Sequence, residues 1–319
     1  MYMKLNPIRN PADLFTYNDA VVGFSQSTTK VTCQSIWMKV KVALEELGIK
    51  ESRLLITGSD WRGENPIFLR RQSPADLILT IDEFPKEIDA QGLKDFLSHR
   101  WFSIDEVKWP LDERLFFDGD SHSVFPTRVF DAVLVDSFEP SPTERTILFA
   151  ELRKHAKNTI KRFTKKVWDA EDAMISGTSR IHGTDRQEIN FDERVIHYDP
   201  KNKLNGVKTW PLRFVQYGLM RFMIQRIRGG KSGEIDLVLP SNIIQRIDML
   251  ASSGVLPLTT QETEDLKYAY GYLLYLHHMM QLEYIESGRK TFDFEDSYMR
   301  EIQQMFQDLQ KIVAKLWSK

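Results

Sequence analysis

Residues 53–64 read Arg53-Leu54-Leu55-Ile56-Thr57-Gly58-Ser59-Asp60-Trp61-Arg62-Gly63-Glu64, an apolar run closed by Gly-Ser and continued by a polar turn. The run predicts a short buried strand, and the Gly-Ser that ends it marks the strand's exit. Glycine there permits close backbone approach, serine adds a hydroxyl, and N–H groups at the start of a helical turn can hold phosphate oxygens. A plain tight turn has the same composition, so the neighbouring elements decide what this one means.

Working outward, Val31, Ile36, Val40, Val42, Ala43 and Leu47 recur at helical spacing and Gly48 follows them, which predicts a helix over 28–47. Downstream, Ala75 to Ile81 predicts a second strand, Asp89 to Arg100 a helix, and the β-formers of 128–136 a third strand. The character changes beyond Pro142. Thr143 to Ile175 is one long charged amphipathic helix pattern, and almost everything after Pro211 is periodic at helix spacing. Leu266, Ala269, Tyr270, Leu273, Leu276, Met280 and Tyr284 form one apolar stripe; Ile302, Met305, Phe306, Leu309, Ile312, Val313 and Leu316 form another. Both read as core. Glu139-Pro140-Ser141-Pro142 sets the expected boundary, because two prolines favour an extended connection. The expected architecture is α+β: a domain at 1–142 with a mixed sheet and helices, then an all-α helical bundle at 143–319. Residues 177–205 carry little regular pattern and read as a lid or a surface excursion.

Composition bounds the function. The 319 residues are 42% hydrophobic and 28% charged, as in an ordinary globular protein, and 43 Lys plus Arg against 45 Asp plus Glu leave a net charge of −2. No whole-molecule positive field exists to hold a polyanion, so a nucleic-acid partner needs a local patch. The single cysteine, Cys33, forms no internal disulfide or multi-cysteine zinc site and reads as an inert buried thiol. Residues 1–13 contain Pro7 and Pro11 and lack the order of a signal peptide, and no stretch reaches spanning length; the expectation is a cytoplasmic protein with no membrane partner. Neither a P-loop nor a dinucleotide-binding glycine triplet is present, which argues against standard ATPase and dehydrogenase chemistry.

Carboxylates near the predicted strands carry the chemistry. Asp76 stands at the start of the second strand and Asp131 and Asp136 on the third. Acidic residues on adjacent strands can group around magnesium or manganese, whose charge stabilises the attacking and leaving oxygens of an in-line displacement at phosphorus.

The order of these residues resembles the nucleotidyltransferases of the DNA polymerase β superfamily, particularly the bacterial PII-protein uridylyltransferase group and its relatives. There a strand leads into Gly-Ser-x-x-Arg-x-Glu, then a loop, then Ser-Asp-x-Asp and an aliphatic run; here stand Gly58, Ser59, Arg62 and Glu64, then Ser73, Asp76 and Leu77-Ile78-Leu79. The segment 207–217, Leu239-Pro240-Ser241 and the capped start Leu258-Thr259-Thr260-Gln261-Glu262 are similar to the helical substrate-side domain of that group. The resemblance, in patches from Leu54 to Tyr284, implies a nucleoside triphosphate as substrate, Gly58 and Ser59 on its phosphates, and Arg62 organising the turn or neutralising phosphate. It further implies Asp76 and Asp131 on magnesium or manganese, with Asp136 in reserve and Asp82 as a further choice. The first metal-binding aspartate of the pattern is replaced by Pro74, which holds no metal. Two outcomes follow: transfer of a nucleoside monophosphate to a protein or small-molecule acceptor, or an inactive relative that binds nucleotide or a protein partner.

Further candidates lie in the helical half. Lys208 and Arg213 flank a helix start and offer contacts to phosphate, the alternative being a solvated helix end. Arg153, Lys154, Lys157, Lys161, Arg162, Lys165 and Lys166 form a local basic face that leaves phosphate or RNA open as a partner. His277 and His278, adjacent on a helix, point in different directions and read as structural. His182 and His197, with Asp185, Asp192, Glu193 and Asp199, form a polar set that reads as surface.

Overall fold

The computed structural model describes residues 10–64, 76–81, 90–99, 106–108, 132–139, 142–178, 186–202, 204–229 and 242–317. The chain is α+β, and it divides into two compact units, one of residues 21–154 and 238–242, the other of residues 1–20, 155–237 and 243–319.

The first unit contains a four-stranded sheet and, from residue 21 on, the long helix that precedes it. Helix α1 (Pro11–Glu46) begins well before residue 28, because Asn10 accepts a hydrogen bond from the Ala12 N–H at 3.1 Å and Pro11 is tolerated in a first helical turn. Then come β1 (Ser52–Thr57), the single helical turn α2 (Gly58–Trp61), β2 (Asp76–Ile81), α3 (Ala90–His99), β3 (Glu106–Lys108) and β4 (Val133–Leu134). The strand order is β3-β2-β1-β4, with β1 antiparallel to both neighbours and β2 parallel to β3. Leu54 and Ile56 pair with Leu79 and Leu77, so four aliphatic side chains share one face of the sheet. Cys33, Trp37, Val40 and Leu44 of α1, with Leu93 and Leu97 of α3, complete this core. Full burial of such side chains is worth about 1.5–3 kcal/mol each, which fixes the register of β1 against β2. Cys33 is 0% exposed, as its apolar neighbours imply.

The expected third strand is curtailed. Residues 128–131 lie outside the described residues; among 132–136 Val133 and Leu134 pair, and the chain then turns, with the Leu134 N–H bonded to the Glu139 carbonyl at 2.8 Å.

The second unit holds most of α4 (Pro142–Ser176), then β5 (Ile189–Asn190), β6 (Val195–Asp199), β7 (Leu204–Asn205), α5 (Pro211–Arg228), α6 (Ile243–Ser252), α7 (Thr260–Ser287), β8 (Thr291–Asp293) and α8 (Asp296–Lys315). Both apolar stripes are core: Leu266, Leu273, Leu276, Met280, Ile302, Leu309 and Val313 are buried. The expected start of α7 is a capping box, Thr259 accepting from the Glu262 N–H while the Glu262 carboxylate accepts from the Thr259 N–H. Gly288, in the left-handed region, ends that helix at Ser287.

Of residues 177–205, the described stretch from 186 on is not irregular. Strand β6 is central to a small antiparallel sheet, pairing with β5, β7 and β8. Its β-formers Val195, Ile196 and Tyr198 are buried, and the charged turn at 191–194 masks the strands in the sequence. Among the described residues no helix is long and apolar enough to cross a membrane.

Candidate functional site

The turn after β1 is built from backbone and buried side chains. Gly58 has φ 87°, and its carbonyl accepts from the Arg62 N–H at 3.1 Å while the Ser59 carbonyl accepts from the Glu64 N–H at 2.9 Å. Ser59 is half-buried. The Arg62 guanidinium binds the nearly buried Glu64 carboxylate through Nε at 2.5 Å and Nη2 at 3.3 Å, a two-point ion pair that braces the turn from inside. Trp61 is buried, stacks on Phe138 at 5.8 Å, and its carbonyl accepts from Gln26 of α1 at 2.9 Å. The Lys30 ammonium lies 4.8 Å from the Phe138 ring centre. The turn is therefore held against α1 and the end of β4.

The carboxylates divide by register. Asp76, the first residue of β2, pairs with Thr57, the residue before Gly58. Asp136 lies elsewhere: β4 runs antiparallel to β1, with the Val135 N–H on the Leu54 carbonyl, so the chain carries Asp136 toward the level of Arg53, near the other end of β1. That is about five residues, roughly 16 Å of strand, from Gly58. Its exposed carboxylate pairs with Lys41 of α1 at 3.0 Å. Asp131 and Asp82 are outside the described residues. Among the described residues no group of three His, Cys, Asp or Glu side chains is placed to hold a metal ion. The described donors thus do not complete a magnesium site.

Lys208 and Arg213 belong to the helical unit, where Lys208 ends a 3-10 turn (Gly206–Lys208) and Arg213 stands in the first turn of α5. Both are half-buried, and both act electrostatically on His277 of α7. Burial first, then these two cations and His278, holds the His277 imidazole well below its ordinary value, so it stays neutral. His277 Nε2 lies 2.9 Å from the Gln281 amide nitrogen, and the Tyr198 ring meets it edge-on at 5.7 Å. These are the contacts of a neutral, packed histidine, in keeping with the structural reading. Of the set around His197, the described Asp192 and Glu193 are exposed, whereas Asp199 is buried, takes Lys290 at 2.7 Å and Asn202 at 2.8 Å, and is held below its ordinary value despite its burial.

Sequence reasoning missed Glu188, a fully buried carboxyl preceding β5. Its backbone N–H donates to the Gly177 carbonyl at 2.7 Å and its own carbonyl accepts from the His197 N–H at 2.7 Å, so the sheet fixes it in place. Oε1 accepts from the Asn205 N–H at 3.2 Å. The Thr209 hydroxyl and the Trp210 indole N–H favour the charged carboxyl, yet neither they nor Oε2 makes a well-formed hydrogen bond among the described residues. Burial pushes the Glu188 carboxyl up to about 7, against the opposing pull of Asn205, Arg213, Thr209 and Trp210. Nothing in the run Arg186-Gln187-Glu188-Ile189 separates this carboxyl from a surface one.

Comparison with protein-family models gives no match to this chain, and no curated protein matches it.

Proposed function

We propose that this chain is a nucleotidyltransferase that uses magnesium or manganese and moves a nucleoside monophosphate from a nucleoside triphosphate to a protein or small-molecule acceptor. The supporting observation is the register that sets Asp76 opposite Thr57, so that the Gly58-Ser59 turn and a carboxylate-bearing residue occupy the same end of one sheet. Gly58 and Ser59 receive the polyphosphate, and Arg62 organises the turn through Glu64. In such a transfer an acceptor oxygen bonds to the α-phosphorus as the bond to the bridging oxygen breaks, pyrophosphate leaves, and the acceptor's proton passes to a base. Asp76 and Asp131 are the proposed metal carboxylates; no step is routed through the metal, because the described donors do not complete its site.

Pro74 favours a second reading, an inactive relative that binds nucleotide or a protein partner through the same turn. One experiment separates the two. The protein is incubated with each nucleoside triphosphate and magnesium or manganese, and pyrophosphate release and thermal stability are followed. Release that disappears in Asp76→Ala supports transfer. Stabilisation by nucleotide without release supports the second reading. Absence of both overturns the nucleotide proposal itself.

A further inference from the structure

The basic face of α4 does not behave as one surface. Lys157, Lys161 and Lys165 are exposed, whereas Arg162 and Lys166, one helical turn apart, are half-buried. They lie on the seam between α4 and α5. Thr164 of α4 accepts from Arg221 Nε of α5 at 2.7 Å, and the Phe163 and Tyr217 rings approach to 6.4 Å. The Lys166 ammonium sits between those rings, 5.5 Å from the centre of Phe163 and 5.4 Å from that of Tyr217. Arg213, one turn before Tyr217 on α5, faces the same place: Arg162 and Arg213 are the charged groups that act on Lys166, and both lower its affinity for a proton.

Neither Lys166 nor Arg213 makes a hydrogen bond or an ion pair among the described residues. Three cations therefore converge where water is partly excluded, and two of them make no ion pair among the described residues. Arg221, further along the seam, is satisfied by Thr164 and Gln225 and lies over Trp317, so it does not share their situation. The carboxyl within electrostatic reach of Arg213 is Glu188, which is buried and partly protonated at neutral pH. Like charges gathered in a half-buried seam raise the energy of the empty protein, and an oxyanion placed among them removes that repulsion.

We propose that Arg162, Lys166 and Arg213 form an anion site on the α4–α5 seam that takes the phosphoryl group of a small phosphorylated molecule. A half-buried cluster suits a compact group, whereas an RNA backbone needs an exposed track like that of Lys157, Lys161 and Lys165. The assignment of phosphate to Arg213 is shared with the expectation from sequence, but the site does not depend on the Gly58 turn. Lys166 and the absence of metal keep the two questions apart.

The test is titration calorimetry of the whole chain with inorganic pyrophosphate, with a nucleoside monophosphate and with a short single-stranded RNA. It is run with chelator present, at a pH near the Lys166 value of about 8, in two buffers of different ionisation enthalpy. Pyrophosphate or the monophosphate is expected to bind with net proton uptake, because an anion beside Lys166 restores its proton. Lys166→Met is expected to abolish the uptake and weaken binding about tenfold or more, and Arg213→Gln to weaken it to a similar degree. Both substitutions remove a repelling charge, so folding is retained; a melting temperature that is not lowered checks this, and Arg162→Gln serves as a third variant if either fails it. Absence of binding by either small phosphate, binding undiminished in Lys166→Met, binding without proton uptake, or binding of RNA alone each overturns the proposal.

Discussion

Thr57 and Asp76 are register partners at the last rung of the β1–β2 pair, so the exit of one strand and the first residue of the next share one end of the sheet. The consequence for function runs through Gly58, whose φ of 87° is costly for any residue with a Cβ. Gly58→Val is expected to lower stability by about 1–2 kcal/mol and to remove the thermal stabilisation given by a nucleoside triphosphate. A melting curve with and without nucleotide reads both. Stabilisation that survives intact in the variant would locate the nucleotide away from this turn.

Gly63 tests how the turn is held against α1. A Cβ there would lie 2.8 Å from both methyl carbons of Val22 and 2.9 Å from its Cα, with φ already at 74°. Gly63→Ala is expected to cost about 1–3 kcal/mol by overpacking. Truncating the neighbour relieves part of this, so Val22→Ala combined with Gly63→Ala should cost less than the sum of the two single changes. Additive costs in denaturant unfolding would show that the backbone angle alone sets the penalty.

The Asp136–Lys41 pair is exposed on both sides, at 61% and 45% of the side chain. Lys41→Ala is expected to change stability by less than about 1 kcal/mol, since solvent screens such pairs and two long side chains lose freedom in forming them. Repeating the unfolding measurement at high salt should shrink even that difference. A loss of several kcal/mol would mean that Lys41, which also lies 4.8 Å from the Trp37 ring centre, acts through packing.

What was legible in the sequence follows from the period of the apolar residues. Leu54 and Ile56 alternate into the core, Leu266 to Met280 repeat with the helix, and Thr259 with Glu262 announces a helix start; each signal is local, and each corresponds to an element of the structure. Asn18 was not legible. It is fully buried and donates to the Gly271 carbonyl of α7 at 3.0 Å, a partner that nothing near it in the chain announces. The same limit hid Glu188, on whose carboxyl Thr209 and Trp210 act from some twenty residues along the chain. At the candidate site, the strand pattern places Gly58 after β1 and Asp76 at the start of β2, as found, but the separation of Asp136 from them depends on the direction in which β4 pairs, which residue types do not encode.

Gly177 positions Glu188 and predicts a packing defect. A Cβ on Gly177 would come 2.0 Å from the Ile189 carbonyl oxygen, at φ 64°, so the backbone itself must move to admit one. Gly177→Ala is expected to destabilise the second unit by about 2 kcal/mol or more, through backbone strain and loss of the Glu188 N–H bond to the Gly177 carbonyl. Amide hydrogen exchange at Glu188 and His197 should rise in the variant. Unchanged protection there would mean that the sheet holds Glu188 without the turn.

Glu188 also gives the chain a stability slope with pH whose sign is fixed. The carboxyl has an ordinary value of 4.5 when unfolded and about 7 when folded. Between these values the folded protein holds a proton that the unfolded chain has released. The stabilisation is therefore complete below 4.5 and is lost as pH rises through 7. The full span is on the order of 3 kcal/mol. Glu188→Gln keeps an acceptor for the Asn205 N–H and removes the titration. Relative to the variant, the wild-type protein should lose stability steadily over that window and stay level above it. Lys166, lowered from 10.5 to about 8, acts with the opposite sign at higher pH. The unfolded chain keeps its proton there while the folded one does not, so stability rises between these values. Lys166→Met should flatten that upper rise and leave the Glu188 fall untouched. Unfolding free energies across both windows, for wild type and the two variants, check the assignment, and a fall between 4.5 and 7 that persists in Glu188→Gln would assign the proton to another group.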